Sequence, residues 1–325
     1  MAETAPAHSE TTIKVLSIDG GGIRGIIPAM ILVELEKRLK KEIYQTFDLI
    51  AGTSTGGIIA LALGTPCRES RACQPKDLVD LYVQKGPTIF PKGPLTSFLS
   101  LFGPKYSPKP LEGILRTVFG ALRLSSALKP LLVSSYDIEH ELPFFFKSQK
   151  ARTQLAYDWD VAEVARATSA APTYFPPARL VHPKVAGEEY TLVDGGVCVN
   201  NPAMAAFAEA CRLFPNRSQY IVVSVGTGDR LDHYNYSSAR KWGLLCWAPR
   251  IVPVFMDSVS EAADYELHYI PSCKFFRLQP KDLSPASNEM DDVTASNIAN
   301  LQTVANAFLT SRDTKDKLDK LQTIL

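Results

Sequence analysis

Two short apolar runs, each passing directly into a glycine-rich loop and then into a helical pattern, constrain this chain most. The first is Ile13–Ile18 (IKVLSI), followed by DGGGIRG and then IIPAMILVELEKRLKKE. In the third piece Ile27, Ile31, Leu35 and Leu39 recur at helical spacing, while Glu34, Lys37, Arg38 and Lys41 fall on the opposite side. The second run is Phe47–Ala51 (FDLIA), followed by GTSTGG and IIALALG. Short apolar strands without polar alternation are buried on both faces. A repeated strand–loop–helix unit therefore predicts an α/β fold of three layers, α/β/α, around a mostly parallel central sheet.

Further strands are expected at Leu131–Tyr136, Pro143–Phe146, Tyr190–Val193 and Tyr220–Val225. Helices are expected at Pro75–Lys85, Val161–Ala170, Pro202–Arg212 and through Asp291–Leu325. Between Gly86 and Pro110 stand Pro87, Pro91, Pro94, Pro104, Pro108 and Pro110, with Phe90, Phe98, Phe102 and Tyr106 among them. Proline at that density excludes regular helix or strand and predicts a cover laid over the sheet. The expected division is a disordered tail at 1–12 and a main domain at 13–229, with the Pro/aromatic-rich insertion at about 86–110. A largely helical extension at 230–325 packs on the same domain.

Composition removes several function classes. The chain has 35 Lys plus Arg against 34 Asp plus Glu, a net charge of +1, which gives no field for capturing nucleic acid. The longest uncharged stretch, Leu49–Cys67, is broken by Thr53, Ser54, Thr55 and glycines 52, 56, 57 and 64. A membrane-spanning helix needs about 20 predominantly apolar residues. The N-terminus, MAETAPAHSE, is acidic and polar without an apolar core, so it is not read as a signal peptide, and a cytoplasmic location is expected. Six cysteines lie outside any CxxC or zinc-like spacing, so free thiols and no bound metal are expected; Cys67 and Cys73, in one polar loop, are the only two whose spacing would allow a pair. Nothing calls for a cofactor, and the oligomeric state is not written in the sequence.

Three constellations carry chemistry. Gly20-Gly21-Gly22-Ile23-Arg24-Gly25 is a G-x-G-x-x-G between strand and helix, where unpaired N–H groups meet negative charge. That charge is either a dinucleotide pyrophosphate or the oxyanion of an acyl-transfer intermediate. Gly52-Thr53-Ser54-Thr55-Gly56 is a G-x-S-x-G at a strand-to-helix junction, the setting of a nucleophile elbow; a serine merely capping the helix is the plainer reading. Asp194-Gly195-Gly196 ends the run TLVD, placing a carboxylate at the end of a parallel strand on the ligand-bearing edge; a turn aspartate is the plainer reading. The dinucleotide alternative needs an acidic residue at the end of the second strand, but Asp48 stands at its start and GTSTG occupies its end.

In that order, DGGGIRG, GTSTG and DGG resemble the patatin-like phospholipase family of lipid acyl hydrolases. The resemblance runs from Lys14 to about Gly228 and takes in ARATSAAPTYFPP, Ala165–Pro177. It implies a patatin-like fold and a Ser–Asp dyad: Ser54 as nucleophile and Asp194 as base. The loop Gly20, Gly21, Gly22 and Gly25 supplies oxyanion-hole amides, chiefly Gly21 and Gly22. Gly52 and Gly56 then form the elbow, and Gly195 and Gly196 the aspartate loop. The implied partner is a membrane or micellar glycerolipid met by peripheral contact. A variant of the same reading has the hydrolase held inactive until a regulatory ligand or partner binds. Arg24, the loop's one charge, either contacts a headgroup or anchors the loop. His182, His233 and His268 follow Ser54 but lack glycine-flanked strand-end settings, so none is assigned as base. A free aspartate titrates at about 3.9, too low for a base toward serine, so burial must raise it.

Lys241–Met256, KWGLLCWAPRIVPVFM, sets tryptophans beside Arg240, Lys241 and Arg250. It reads either as core or as a cover that docks on lipid.

Overall fold

The computed structural model describes residues 12–67, 71–91, 103–182, 185–187, 189–229 and 234–325. Residues 1–11 of the expected tail, Pro94, Phe98, Phe102 and His233 lie outside the described residues.

In chain order the principal elements are β1 (Ile13–Ile18), α1 (Ile26–Leu39), β2 (Leu49–Thr53), α2 (Thr55–Gly64), α3 (Pro75–Ile89) and α4 (Lys109–Phe119). There follow β3 (Leu131–Asp137), β4 (Leu142–Lys147), α5 (Val161–Thr168), β5 (Ala178–Val181), β6 (Glu189–Asp194) and α6 (Ala203–Leu213). The chain closes with β7 (Tyr220–Val225), α7 (Leu244–His268), β8 (Cys273–Leu278), α8 (Ala295–Thr310) and α9 (Arg312–Ile324).

The eight strands form one sheet in the order β5-β6-β3-β2-β1-β7-β8, with β4 paired to β3. The run β3-β2-β1-β7-β8 is parallel, while β4, β5 and β6 pair antiparallel. Alternation along β1 divides the core: Leu16 and Ile18 pack with α1, α2 and α8, while Ile13 and Val15 pack with α6 and the end of α7. Strands β1, β2 and β7 are buried on both faces because helices cover both, which gives the three layers expected. Helix α2, TGGIIALALG, has no polar face and is buried throughout, as an all-apolar helix must be.

The structure corrects several sequence expectations. Helix α3 continues through Pro87 to Ile89 inside the proline-rich segment, since a proline in the last turn removes only one intrahelical bond. Likewise α4 accepts Pro110 in its first turn, where no N–H is needed. The C-terminal helical stretch is two helices, broken at Ser311, whose side chain accepts from the Thr314 amide and caps α9. Strand β8, CKFFRL, extends the sheet beyond β7 and carried no sequence expectation.

Asp194 does not end a parallel strand. Strand β4 covers one edge of β3 from Leu132 to Asp137, so β2 and β6 share its other edge. There they run head-on: β2 ends at Thr53 opposite Ser134, and β6 ends at Asp194 opposite Ser135. Two antiparallel strand ends therefore face each other across one residue step, which brings Ser54 and Asp194 together.

Candidate active site

Ser54 sits between the last residue of β2 and the first of α2, at φ 54° and ψ −123°. A left-handed φ is costly for a residue with a Cβ, about 1–3 kcal/mol, and here it thrusts the hydroxyl out of the turn. The flanking glycines make the turn possible: a Cβ on Gly52 would meet the Gly56 carbonyl oxygen at 2.1 Å, and one on Gly56 the Ile18 carbonyl oxygen at 2.2 Å. The Ser54 amide donates to Thr168 Oγ1 at 2.8 Å, pinning the elbow to the end of α5.

The Ser54 hydroxyl donates to Asp194 Oδ2 at 2.6 Å. The other carboxylate oxygen, Oδ1, accepts the Gly196 amide at 2.7 Å. Asp194 is 3% exposed, and burial pushes its carboxyl up to about 7 against the opposing effect of those two hydrogen bonds. Gly195 passes so close to β3 that a Cβ would lie 2.3 Å from Ser134 Oγ.

The glycine loop lies alongside. Gly20 gives its amide to the Asn200 carbonyl at 3.1 Å, and Ile23 gives its amide to the Met290 carbonyl at 2.8 Å. Gly21 and Gly22 lie between those tethers, with no acceptor for their amides among the described residues. Gly22 has φ +59°, and a Cβ there would lie 2.2 Å from the Met290 carbonyl oxygen. Gly25 belongs to the short helical turn that follows and packs against Thr55 and Tyr82. Arg24 is 5% exposed and is not part of the cleft wall.

Several supports were missed in the sequence. Thr168 lies within ARATSAAPTYFPP, where nothing local distinguishes its hydroxyl from that of Ser169. Thr227 Oγ1 donates to the Gly20 carbonyl at 2.8 Å. Asp19, which opens the glycine motif, accepts Arg277 Nη2 of β8 at 2.5 Å, and Arg277 also meets Asp264 of α7 at 3.1 Å. Burial raises the Asp19 carboxyl to about 6 despite that guanidinium. The partners of the glycine motif come from the loop after β7, from α7 and β8, and from the loop before α8, more than 200 residues after the glycine loop in the case of Thr227, so no local pattern announces them.

A cleft opens over Ser54 and Asp194. Its wall is apolar, including Ile58, Leu111, Phe175 and Phe90 of the proline-rich segment. Phe90 packs edge-on to Tyr106 at 5.4 Å, and the Tyr106 hydroxyl donates to Asp291 at 2.6 Å. No described histidine lines the cleft; His182 is buried against Trp159, ring centroids 4.9 Å apart. Among the described residues no group of His, Cys, Asp and Glu could hold a metal ion, and the six cysteines, Cys67 and Cys73 included, are thiols.

The patatin-like phospholipase family model matches residues 16–207. The chain belongs to the patatin-like phospholipase family. Patatin-like protein 1 of Arabidopsis thaliana is 32% identical, with 97% of this chain and 85% of that one aligned. Patatin-15 of Solanum tuberosum is 33% identical over 95% of this chain and 87% of its own. Among solved structures, VipD from Legionella pneumophila aligns with a TM-score of 0.36 at 14% identity, covering 92% of this chain and 67% of that one. The family assignment therefore stands on the sequence matches, and with it the class of enzyme: a lipid acyl hydrolase of the patatin-like phospholipase type. No described helix is long and apolar enough to cross a membrane.

Proposed function

We propose that the protein cleaves acyl esters of glycerolipids, as a phospholipase A or lysophospholipase, through Ser54 and Asp194 without a histidine. The observation that carries this reading is the 2.6 Å hydrogen bond from a strained elbow serine to a buried carboxylate raised to about 7. A base poised near the working pH is the efficient one for proton transfer.

In the first half-reaction Ser54 Oγ attacks the ester carbonyl while its proton passes to Asp194 Oδ2. The Gly21 and Gly22 amides, which meet no acceptor among the described residues, receive the oxyanion that forms. Collapse breaks the carbonyl–alkoxy bond; the glycerol oxygen leaves with the proton from Asp194, and the acyl group stays on Ser54. Water then attacks the acyl-enzyme, Asp194 takes its proton and returns one to Ser54 Oγ, and the fatty acid leaves. The Asp194 Oδ1–Gly196 bond holds the carboxylate still through both steps. The apolar wall accommodates an acyl chain and limits water around Asp194, which sustains its raised affinity for a proton.

The test is hydrolysis of mixed phospholipids, galactolipids and neutral lipids, with products identified by mass. Wild type should release fatty acid, Ser54→Ala and Asp194→Asn should release almost none, and His182→Ala, His233→Ala and His268→Ala should each retain most activity. A folded histidine variant without activity would replace the dyad by a triad.

A further inference from the structure

The N-terminal half of α7 carries apolar side chains outward. From Lys241 to Met256 none of the residues whose side chains are described is buried. Leu244 and Leu245 are 82% and 89% exposed, and Phe255 is 57% exposed. The tryptophans are not core: Trp247 packs edge-on against Trp242 at 5.2 Å, and Trp242 against Tyr234 at 5.0 Å, as a cluster at the surface.

The same helix forms part of the cleft. Leu245, Val252 and Met256 stand at i, i+7 and i+11, on one face. Val252 and Met256 line the cleft above the dyad. The methyl of Met256 lies over the aspartate loop, where a Cβ on Gly196 would be 2.8 Å from it. One apolar stripe thus runs from open surface to the wall beside Asp194. Charge is biased as well: from Tyr234 to Met256 there are Arg240, Lys241 and Arg250 and no acidic residue. The Arg250 guanidinium lies 4.8 Å over the Trp242 ring, at the edge of the apolar patch.

We propose that Tyr236–Ala239 and the first half of α7 form a docking surface for an anionic glycerolipid bilayer. The leucines and Phe255 enter the acyl boundary, the indoles and cations lie at the headgroups, and the stripe guides a lipid acyl chain to Ser54. The inference rests on the lipid-hydrolase reading of the site. Continuity of the patch with the cleft selects a lipid surface over a second copy of the chain, because closing this face against another protein would cap the route to the dyad.

The full chain is tested by sedimentation with vesicles of phosphatidylcholine, alone and mixed with phosphatidylglycerol. Wild type should bind the mixed vesicles more tightly, with a blue shift of tryptophan emission, since Trp242 and Trp247 are the tryptophans at the surface. Leu244→Glu with Leu245→Glu should weaken binding to both vesicles by roughly tenfold or more. Arg240→Glu with Lys241→Glu should remove the preference for the anionic vesicles. Both pairs should keep the wild-type melting temperature, turnover of a soluble short-chain ester and fluorophosphonate labelling, because none of these side chains touches the dyad. Absence of labelling in wild type would remove the hydrolase reading instead, so the two failures are distinct. The proposal is overturned if wild type binds neither vesicle, or if the leucine pair binds as wild type does. It is also overturned if that pair only converts a solution dimer to a monomer while vesicle binding persists.

Discussion

Asp194→Asn should abolish activity and, above neutral pH, make the protein more stable. Burial holds the native carboxyl at about 7, whereas the unfolded chain titrates near the ordinary 3.8. Between those values the folded state keeps a proton that the unfolded state has given up, so wild-type stability falls as pH rises through this window. A gap of about three pH units, at 1.36 kcal/mol each, is a loss of about 4 kcal/mol that is complete above about pH 7. Asparagine keeps the shape and does not titrate: its oxygen can accept the Gly196 amide and its NH2 can donate to Ser54 Oγ, in place of the two bonds that Asp194 makes. The stability difference between variant and wild type should therefore grow between about pH 4 and pH 7 and then level. At roughly 2 °C per kcal/mol for a large domain, the melting temperatures should diverge by roughly 8 °C. Calorimetry or fluorimetry of both proteins across that range measures it. A difference flat with pH, or a wild type that gains on the variant as pH rises, would refute the argument that burial makes Asp194 basic.

For turnover of a soluble ester, kcat/KM should rise with pH through about 7 and then level, because Asp194 must be ionised to accept the serine proton; a rate level from about pH 5 to pH 9 counts against it. Thr168→Val removes the acceptor of the Ser54 amide and leaves that buried N–H unpaired, at a cost of about 1–3 kcal/mol. It should lower kcat and the melting temperature with little change in KM, and near-wild-type values of both would show that Thr168 does not hold the elbow. Exhaustive chelation should leave hydrolysis of a soluble ester unchanged, and a loss restored by added metal would require a metal step.

What the sequence made legible was whatever is local in the chain. The strand–loop–helix units announced β1 and β2 because apolar runs, glycines and helical spacing sit side by side. Ser54 was marked by its own flanking glycines. Its pairing with Asp194 came through family resemblance, since 140 residues separate them and the head-on meeting of β2 with β6 is a property of the sheet. The direction of β6 is not legible for that reason: a short apolar run reads the same whether it pairs parallel, as expected, or antiparallel, as found. Arg277, Thr227 and Met290 hold the glycine loop from distant elements, so they were invisible until the chain was folded. In the sequence Trp242 and Trp247 read equally as core or surface, because a hydrophobic segment has the same composition in either place.

The most direct test of the account is covalent labelling of Ser54 by a fluorophosphonate, read by mass on the intact protein and its peptides. Wild type should gain one adduct at Ser54, Asp194→Asn should label far more slowly while remaining folded, and Ser54→Ala should not label. Labelling that persists in Ser54→Ala, or that proceeds at the wild-type rate in Asp194→Asn, would contradict the claim that Asp194 activates Ser54 as the nucleophile.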